Sequence, residues 1–135
     1  MQEQLNLEIA KLLDKKGFNE PCRYLRIGVS YSIRNQKKGQ LFEKRVVSML
    51  KPANMFLAPT LTEVVMWLYK KHKIWIRISC FEPNVFYPDI FNFNKKGNTA
   101  FSKDVHITFA SNEMRCKTPT KAYLLAIKHT LKNLI

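Results

Sequence analysis

The sequence predicts a single α+β domain in which helices pack against an antiparallel sheet. Apolar residues recur with helical spacing in three segments and alternate with polar residues in the segments between them. The chain has 135 residues, of which 46% are hydrophobic and 24% charged, as is ordinary for one globular domain with its own core. We therefore expect residues 1–135 to form one domain with the element order α-β-β-α-β-β-β-α.

The first helix is expected between residues 3 and 16. Lys15 and Lys16 favour the carbonyl end of this helix, and Gly17 suits a left-handed C-cap. Phe18 is then expected to fold back onto the apolar stripe. That stripe has helical spacing and consists of Leu5, Ile9, Leu12 and Leu13.

The pattern changes to alternation after the first helix. Apolar residues at every second position from Leu25 to Ile33 predict one strand with a single buried face. Residues 35–39, NQKKG, are typical of a turn, and residues 41–50 are expected to return as a second strand. The apolar residues of 41–50 also suit a short helix, so both interpretations stay open.

The stretch from residue 58 to residue 78, APTLTEVVMWLYKKHKIWIRI, predicts a helix followed directly by a strand. Thr60 and Glu63 have the spacing of a capping box. The strand alternates from Ile74 to Phe81. Basic side chains crowd the last turn of the helix, where cations interact favourably with the helix dipole, namely Lys70, Lys71, His72 and Lys73. Since every residue type here has a structural explanation, the basic cluster does not by itself require a ligand.

Two more strands and a final helix complete the predicted fold. Residues 85–94 and 104–110 are expected to be strands, separated by the turn sequence KKGN. Thr118 is a suitable N-cap, with Pro119 at the first helical position. The apolar side of this helix consists of Tyr123, Leu124, Ile127, Leu131 and Leu134.

Net charge is the unusual bulk property of the chain. Lysine and arginine number 23 against 10 acidic residues, which gives a net charge of +13 and a pI near 9.9. The excess is greatest in residues 23–51, which hold eight basic side chains and one acidic side chain. Such a balance favours a polyanionic or acidic partner, nucleic acid among them, although charge also serves solubility alone.

Aromatic residues are expected to line one face of the strand from Ile74 to Phe81. Rings interleaved with cations are typical of a platform for single-stranded nucleic acid, where bases stack and phosphates meet cations. Two other interpretations stay open: the rings are core beneath a helix, or they form a docking surface for another protein or a second copy. The residues concerned are Trp75, Arg77 and Phe81, with Tyr87, Phe91 and Phe93 nearby.

Local catalytic and metal-binding motifs are absent from the sequence. There is no glycine-rich phosphate loop, no HExxH and no GxSxG, and the three histidines stand alone. Cys22, Cys80 and Cys116 form no CxxC pair and are expected to be small buried residues rather than reactive thiols. We therefore expect no cofactor, no metal and no enzymatic activity. The alternative is an enzyme with Cys22, which follows a turn, as nucleophile beside a histidine.

The sequence also bears on location. No apolar run approaches the ~20 residues that a bilayer span needs, and the N-terminus lacks the pattern of a signal peptide. Three unpaired cysteines suit a reducing compartment. We expect a cytoplasmic protein without a membrane partner.

Three blocks of the sequence resemble a known group of proteins. The blocks are KLLDKKGFNEPC at 11–22, APT at 58–60 with WLYKKHKIWI at 67–76, and TPTKAYLLAIKHTLKNLI at 118–135. They are similar to small uncharacterised proteins of Bacteroidetes and their phages and prophages, in the pattern K-G-F-[DN]-E-P-C, then A-P-T, then W-L-x-x-x-H-x-I. The resemblance implies a cytoplasmic protein of mobile-element origin and assigns no catalytic residue. Val64, Val65 and Met66 stand where this group has a more polar helix start.

These patterns lead to one main functional hypothesis and one alternative. The chain is expected to be a non-enzymatic binding protein of phage or prophage type, whose basic surface associates with nucleic acid or another polyanion. The alternative is a protein interaction module that binds an acidic host protein or assembles as a homo-oligomer. The predicted binding residues are Arg23, Arg26, Arg34, Lys37, Lys38, Lys44, Arg45, Lys70, Lys71, Lys73, Trp75 and Arg77.

Overall fold

The computed structural model describes residues 7–22, 24–27, 31–34, 55–95, 106–108 and 115–135. The chain forms two compact units, Gln2–Thr60 and Leu61–Ile135. Helices and antiparallel strands in both units confirm the predicted α+β class. The described strands form a three-stranded sheet in each unit, whereas the sequence predicts one sheet.

The described residues of the first unit form one helix and three short strands. They are α1 (Leu7–Lys15), β1 (Tyr24–Ile27), β2 (Tyr31–Arg34) and β3 (Met55–Leu57). The strands are antiparallel in the order β2-β1-β3. Helix α1 contacts β1 and β3, and its residues Ile9, Ala10 and Leu13 are buried. The described part of the predicted stripe is therefore a core face.

Helix α1 ends at Gly17 as its sequence predicts. Gly17 has a φ of +87°, and its amide donates to the carbonyl of Asp14 at 3.2 Å. The amide of Phe18 donates to the carbonyl of Leu13 at 2.9 Å. These two bonds are the Schellman arrangement, which satisfies carbonyls that the helix leaves free. Phe18, at 2% exposure, is buried as expected.

The alternating segment from Leu25 to Ile33 forms two strands rather than one. Ile27 of β1 pairs with Tyr31 of β2, so the chain reverses direction between them. Alternation continues across this reversal because partners that face each other lie on the same side of the sheet. The prediction of one uninterrupted strand was therefore wrong. The prediction for residues 41–50 lies outside the described residues.

In the part of the second unit that the structure describes, there are two helices and three strands. They are α2 (Leu61–His72), β4 (Ile74–Glu82), β5 (Val85–Asn92), β6 (His106–Thr108) and α3 (Pro119–Asn133). The sheet is antiparallel in the order β4-β5-β6. All five elements were predicted, with ends that differ by a few residues.

Local chemistry sets the ends of these elements. The hydroxyl of Thr118 accepts from the amide of Lys121 at 3.2 Å, with Pro119 in the first turn, so the predicted N-cap of α3 is confirmed. Pro83 and Asn84 connect β4 to β5, and Asn84 adopts a φ of 62°, which asparagine tolerates better than most residues.

The core of the second unit lies between the helices and one face of the sheet. Helix α2 contacts β4, and α3 contacts β4, β5 and α2. The isoleucines of that face, Ile74, Ile76 and Ile90, are at most 1% exposed. The helices contribute buried residues from one side each, namely Leu61, Val64, Val65, Trp67 and Leu68 from α2 and Ala122, Ala126, Ile127, Thr130 and Leu131 from α3. The opposite sheet face carries the residues of functional interest.

Candidate functional site

The sheet of the second unit presents rings and polar groups on the face opposite the isoleucines. Cross-strand pairing aligns Trp75 with Phe91 and His106, and it aligns Arg77 with Asp89 and Thr108. Ser79 pairs with Tyr87 on the same face. Because aligned residues share a face, three strands bring together the side chains of Trp75, Arg77, Ser79, Tyr87, Asp89, Phe91 and His106 from distant points of the chain. The rings of Phe81 and Phe93 contact Tyr87 and Phe91. We call these nine residues the ring face.

A buried carboxylate lies at the centre of the ring face. Asp89 is 4% exposed, and one of its oxygens accepts from the hydroxyl of Ser79 and from the Arg77 guanidinium at 3.3 Å. Its other oxygen lies 3.1 Å from Nε2 of His106. Charged and hydrogen-bonded partners compensate the desolvation of a buried carboxylate. Asp89 therefore orients Arg77 and His106 across three strands.

Phe91 is enclosed between the same two partners. The Arg77 guanidinium lies 5.1 Å from the centre of the Phe91 ring, within the range of a cation–π interaction. The His106 ring stacks on Phe91 at 4.5 Å with an interplanar angle of 8°, and Phe93 lies parallel at 6.2 Å. These contacts explain why Phe91 is only 5% exposed, although it lies on the face opposite the buried isoleucines of the core.

Parts of the ring face remain open to solvent. The Arg77 side chain is 58% exposed and Phe81 is 71% exposed. Tyr87 contacts Phe81 at 5.7 Å between ring centres and is half-buried, as is Trp75, which meets Tyr69 edge-on at 5.5 Å. The face is therefore not wholly core, which was one of the three interpretations of its rings.

A group of exposed lysines borders the ring face where α2 passes into β4. Lys70, Lys71 and Lys73 are exposed, and so is Lys95, just beyond β5. The Phe93 amide donates to the Lys73 carbonyl at 3.0 Å, and the Asn94 side-chain amide donates to the His72 carbonyl. These bonds hold the two chain segments side by side. We call the four lysines the basic corner.

The other predicted binding residues are not part of this site as described. The structure gives the pairing of Arg26 with Ser32 and Phe56, and of Arg34 with Tyr24, in the first unit. Residues Arg23, Lys37, Lys38, Lys44 and Arg45 lie outside the described residues. Of the twelve predicted residues, the structure thus groups Lys70, Lys71, Lys73, Trp75 and Arg77 in one unit.

Two histidines of the second unit have a pKa below the ordinary value for histidine, so they bind a proton less readily. Burial lowers the pKa of His72, and the charge of Lys71 lowers it further. Within the described part of the chain, the buried Nε2 of His72 has no hydrogen-bond partner, and the ring packs edge-on against Trp67 at 4.8 Å. Burial likewise lowers the pKa of His129. Both rings are therefore neutral near pH 7.

The cysteines differ from one another in their surroundings. Cys22, the candidate nucleophile, is fully buried, and its thiol donates to the carbonyl of Glu20 at 3.3 Å. Burial raises the pKa of the Cys116 thiol, and the charge of Lys121 opposes this only in part. Cys80 is exposed and Cys116 is half-buried, so the expectation that all three cysteines are buried holds for Cys22 alone.

The polar cluster does not have the order of a nucleophilic triad. Ser79 donates to Asp89 and not to His106, so the described contacts lack the serine–histidine hydrogen bond of a nucleophilic triad. The described residues also include no group of three His, Cys, Asp or Glu side chains that could hold a metal ion. The geometry fits charge compensation and ring positioning.

Sequence reasoning missed Ser79, Asp89, His106 and Lys95 as members of this site. The sequence marks neither Ser79 nor Asp89, and it shows His106 only as an isolated histidine. The sequence gives a partial signal. Once β4 and β5 are assigned as antiparallel neighbours, one of the possible registers pairs Arg77 with Asp89. The structure is needed to select that register, because several offsets satisfy the same alternation.

Comparisons with known proteins provide no relative. The chain matches no family model, no curated protein and no solved structure. The resemblance to Bacteroidetes and phage proteins therefore stays a prediction. Among the described residues, no helix combines the length and the apolar character that a membrane span requires.

Proposed function

We propose that the chain is a binding protein that associates with nucleic acid or another polyanion through the ring face and the basic corner. The observation that carries this proposal is the exposure of Arg77 and Phe81 along β4, with Lys70, Lys71, Lys73 and Lys95 at the end of the sheet where β4 begins. Cations contact phosphates, and exposed rings give bases a stacking surface, so a single strand is the preferred ligand.

The hydrogen bond to buried Asp89 supports this proposal, because it fixes the position of Arg77 before a ligand binds. Asp89 accepts from one terminal nitrogen of the guanidinium at 3.3 Å, and more than half of the Arg77 side chain stays in solvent. A pre-positioned arginine loses less conformational entropy when it meets a phosphate. We propose binding rather than catalysis as the activity, and by the family resemblance a cytoplasmic protein of phage or prophage type.

Salt dependence of binding is the first test. The affinity for a fluorescent single-stranded oligonucleotide is measured by anisotropy over a range of NaCl concentrations. Replacement of Lys70, Lys71 and Lys73 by glutamine should reduce the slope of log affinity against log salt by about 2, since each phosphate contact to a single strand contributes roughly 0.7. The matched control replaces Lys117, Lys121 and Lys132, which are also exposed, and should change the slope less. An oligonucleotide affinity that does not change with NaCl concentration contradicts the proposal.

The second test separates nucleic acid from other polyanions. Phe81→Ala removes an exposed ring and should weaken single-strand binding by roughly 5- to 100-fold, as loss of one stacked base does. Affinity for heparin, which has no bases, should be unchanged. Met66→Ala serves as control because Met66 is 36% exposed but belongs to α2 and not to the ring face. Equal losses for the oligonucleotide and heparin would leave only a general polyanion site.

A further inference from the structure

The second unit contains a small pocket beside α2 that is separate from the basic corner. Its volume is about 160 Å³. Four lining residues come from the first half of α2, one from β4 and one from α3, namely Leu61, Thr62, Val65, Met66, Trp75 and Tyr123. Thr62 and Met66 are exposed at its mouth, while Leu61 and Val65 are buried at its base.

The size of the pocket limits what it can hold. An apolar cavity of about 150 Å³ accepts one benzene ring. A single phenylalanine, leucine or methionine side chain is of that size, whereas an extended cofactor is not. The pocket therefore suits one large side chain, or one planar ring.

The lining chemistry favours an apolar side chain over a nucleobase. The side chains of Leu61, Val65 and Met66 form the apolar part of the lining, and its polar groups are the hydroxyls of Thr62 and Tyr123 and the indole N–H of Trp75. A base carries several polar atoms on its edge, and those left unpaired in such a pocket oppose binding. A phenylalanine side chain has no such requirement.

The charge of α3 indicates the sequence that presents this side chain. Helix α3 carries three lysines and no acidic residue. Lys121 is exposed two residues before Tyr123, at the start of α3. On α2 the charged residue within the lining segment is Glu63, which is half-buried, and Lys70 and Lys71 belong to the basic corner. The positive charge of α3 is complementary to an acidic partner.

We propose that this pocket binds one large apolar side chain from an acidic segment of a partner protein. The anchor side chain enters between Trp75 and Tyr123, and the acidic residues around it meet the lysines of α3, with Lys121 the nearest to Tyr123 in sequence. This arrangement of one buried anchor within a polar rim is common at protein interfaces. The proposal does not depend on nucleic acid binding by the ring face.

The test uses short blocked acidic peptides that differ only at their central residue. The full chain should bind a peptide with central phenylalanine at least about tenfold more tightly than one with central alanine, because the ring leaves water. The ratio of the two affinities isolates the pocket from the general attraction of acidic peptides to a basic protein. Equal affinities for the two peptides overturn the proposal.

Variants then place the effect at the pocket. Thr62→Phe fills the mouth from an exposed position, and the ratio should fall below about twofold. Asn133→Phe adds the same ring ten residues beyond Tyr123 on α3 and should leave the ratio unchanged. Met66→Ala removes one wall of the pocket and should also lower the ratio. If neither pocket variant changes the ratio, the anchor binds elsewhere and the proposal fails.

A spectroscopic measurement reports on the pocket directly. The chain has two tryptophans, so Trp67→Phe leaves Trp75 as the single indole. Its emission should shift to shorter wavelength with the phenylalanine peptide and not with the alanine peptide. If Thr62→Phe weakens oligonucleotide binding and leaves the peptide ratio unchanged, the pocket holds a base, and the proposal is overturned. Phe81→Ala should affect the oligonucleotide alone, so the two functions can fail separately.

Discussion

At the scale of single residues, Asp89 organises the ring face. Its carboxylate is buried, and its partners Arg77, Ser79 and His106 come from both neighbouring strands. Arg77 and His106 in turn enclose Phe91. One carboxylate thus determines where a guanidinium and a set of rings lie. Nothing about the local sequence PDI around Asp89 indicates this role, because its partners are ten or more residues away.

Removing the charge of Asp89 should destabilise the chain. Asp89→Asn keeps the shape but weakens three charge-assisted contacts, and we expect a loss of about 1–3 kcal/mol in the free energy of unfolding. The loss stays modest because Arg77 remains largely solvated when its partner is removed. Urea denaturation followed by circular dichroism measures it.

Glu82→Gln is the matched control for Asp89→Asn. Glu82 lies 3.7 Å from Arg115, and the two side chains are 65% and 48% exposed. An exposed ion pair of this kind contributes about 0–1 kcal/mol. Equal losses for the two variants would show that Asp89 is no more important than a surface carboxylate.

The lowered pKa of His72 predicts a pH dependence of stability. Its folded-state pKa lies below the ordinary value of 6.5, so the unfolded chain binds the proton more tightly. The contribution of His72 is therefore fully present above about pH 6.5 and is lost as the pH falls through the folded-state pKa. His129 acts in the same direction.

Urea midpoints measured between about pH 7.5 and about pH 5 test this dependence. Wild type should become less stable as the pH falls. The double variant His72→Gln/His129→Gln should lose less stability over the same interval, whatever its starting value. An equal loss in both proteins would assign the dependence to other groups.

At the scale of elements, the sequence predicts best where it carries end signals. Gly17 ends α1, and Thr118 with Pro119 begins α3, each with the expected hydrogen bonds. These signals are local, since a cap needs only neighbours within one helical turn. The hairpin of β1 and β2 has no such local signal. Alternation predicts strand structure from Leu25 to Ile33, but it does not show that the chain reverses between Ile27 and Tyr31.

The cap of α1 can be tested through Gly17. A Cβ at this position would meet nothing within 4 Å, so space does not oppose a side chain. The positive φ does, and Gly17→Ala should cost about 1 kcal/mol. Gly17→Asn should cost less, because asparagine enters the left-handed region more readily. Chemical denaturation of the three proteins orders them, and alanine as stable as glycine would contradict the cap.

At the scale of the whole molecule, composition predicts the excess of cations but not their grouping. Lys70, Lys71 and Lys73 were expected together because they share a helix turn. Lys95 joins them only because the Phe93 amide binds the Lys73 carbonyl, a contact between residues far apart in sequence. The pocket lined by Trp75 and Tyr123 was not predicted, since it forms where two helices and a strand meet.

The net charge of +13 predicts how salt affects stability. Like charges repel in the compact state, and added ions screen this repulsion. The melting temperature should rise as NaCl increases from about 10 mM to about 150 mM, over which the Debye length shortens from roughly 30 Å to 8 Å. An equal osmolality of glycerol is the control for non-ionic effects. A melting temperature that falls with NaCl would indicate that attractive ion pairs outweigh the repulsion.

The joint between α2 and β4 has a practical consequence. Lys73 adopts a φ of 56° with an amide bonded to the Tyr69 carbonyl at 3.0 Å, a backbone state that glycine occupies without strain. Lys73→Gly therefore removes a cation and also relieves backbone strain at the bend. The variant should bind a polyanion less tightly than wild type and should unfold at a higher urea concentration. Few positions let an experimenter remove charge without also weakening the scaffold that displays it.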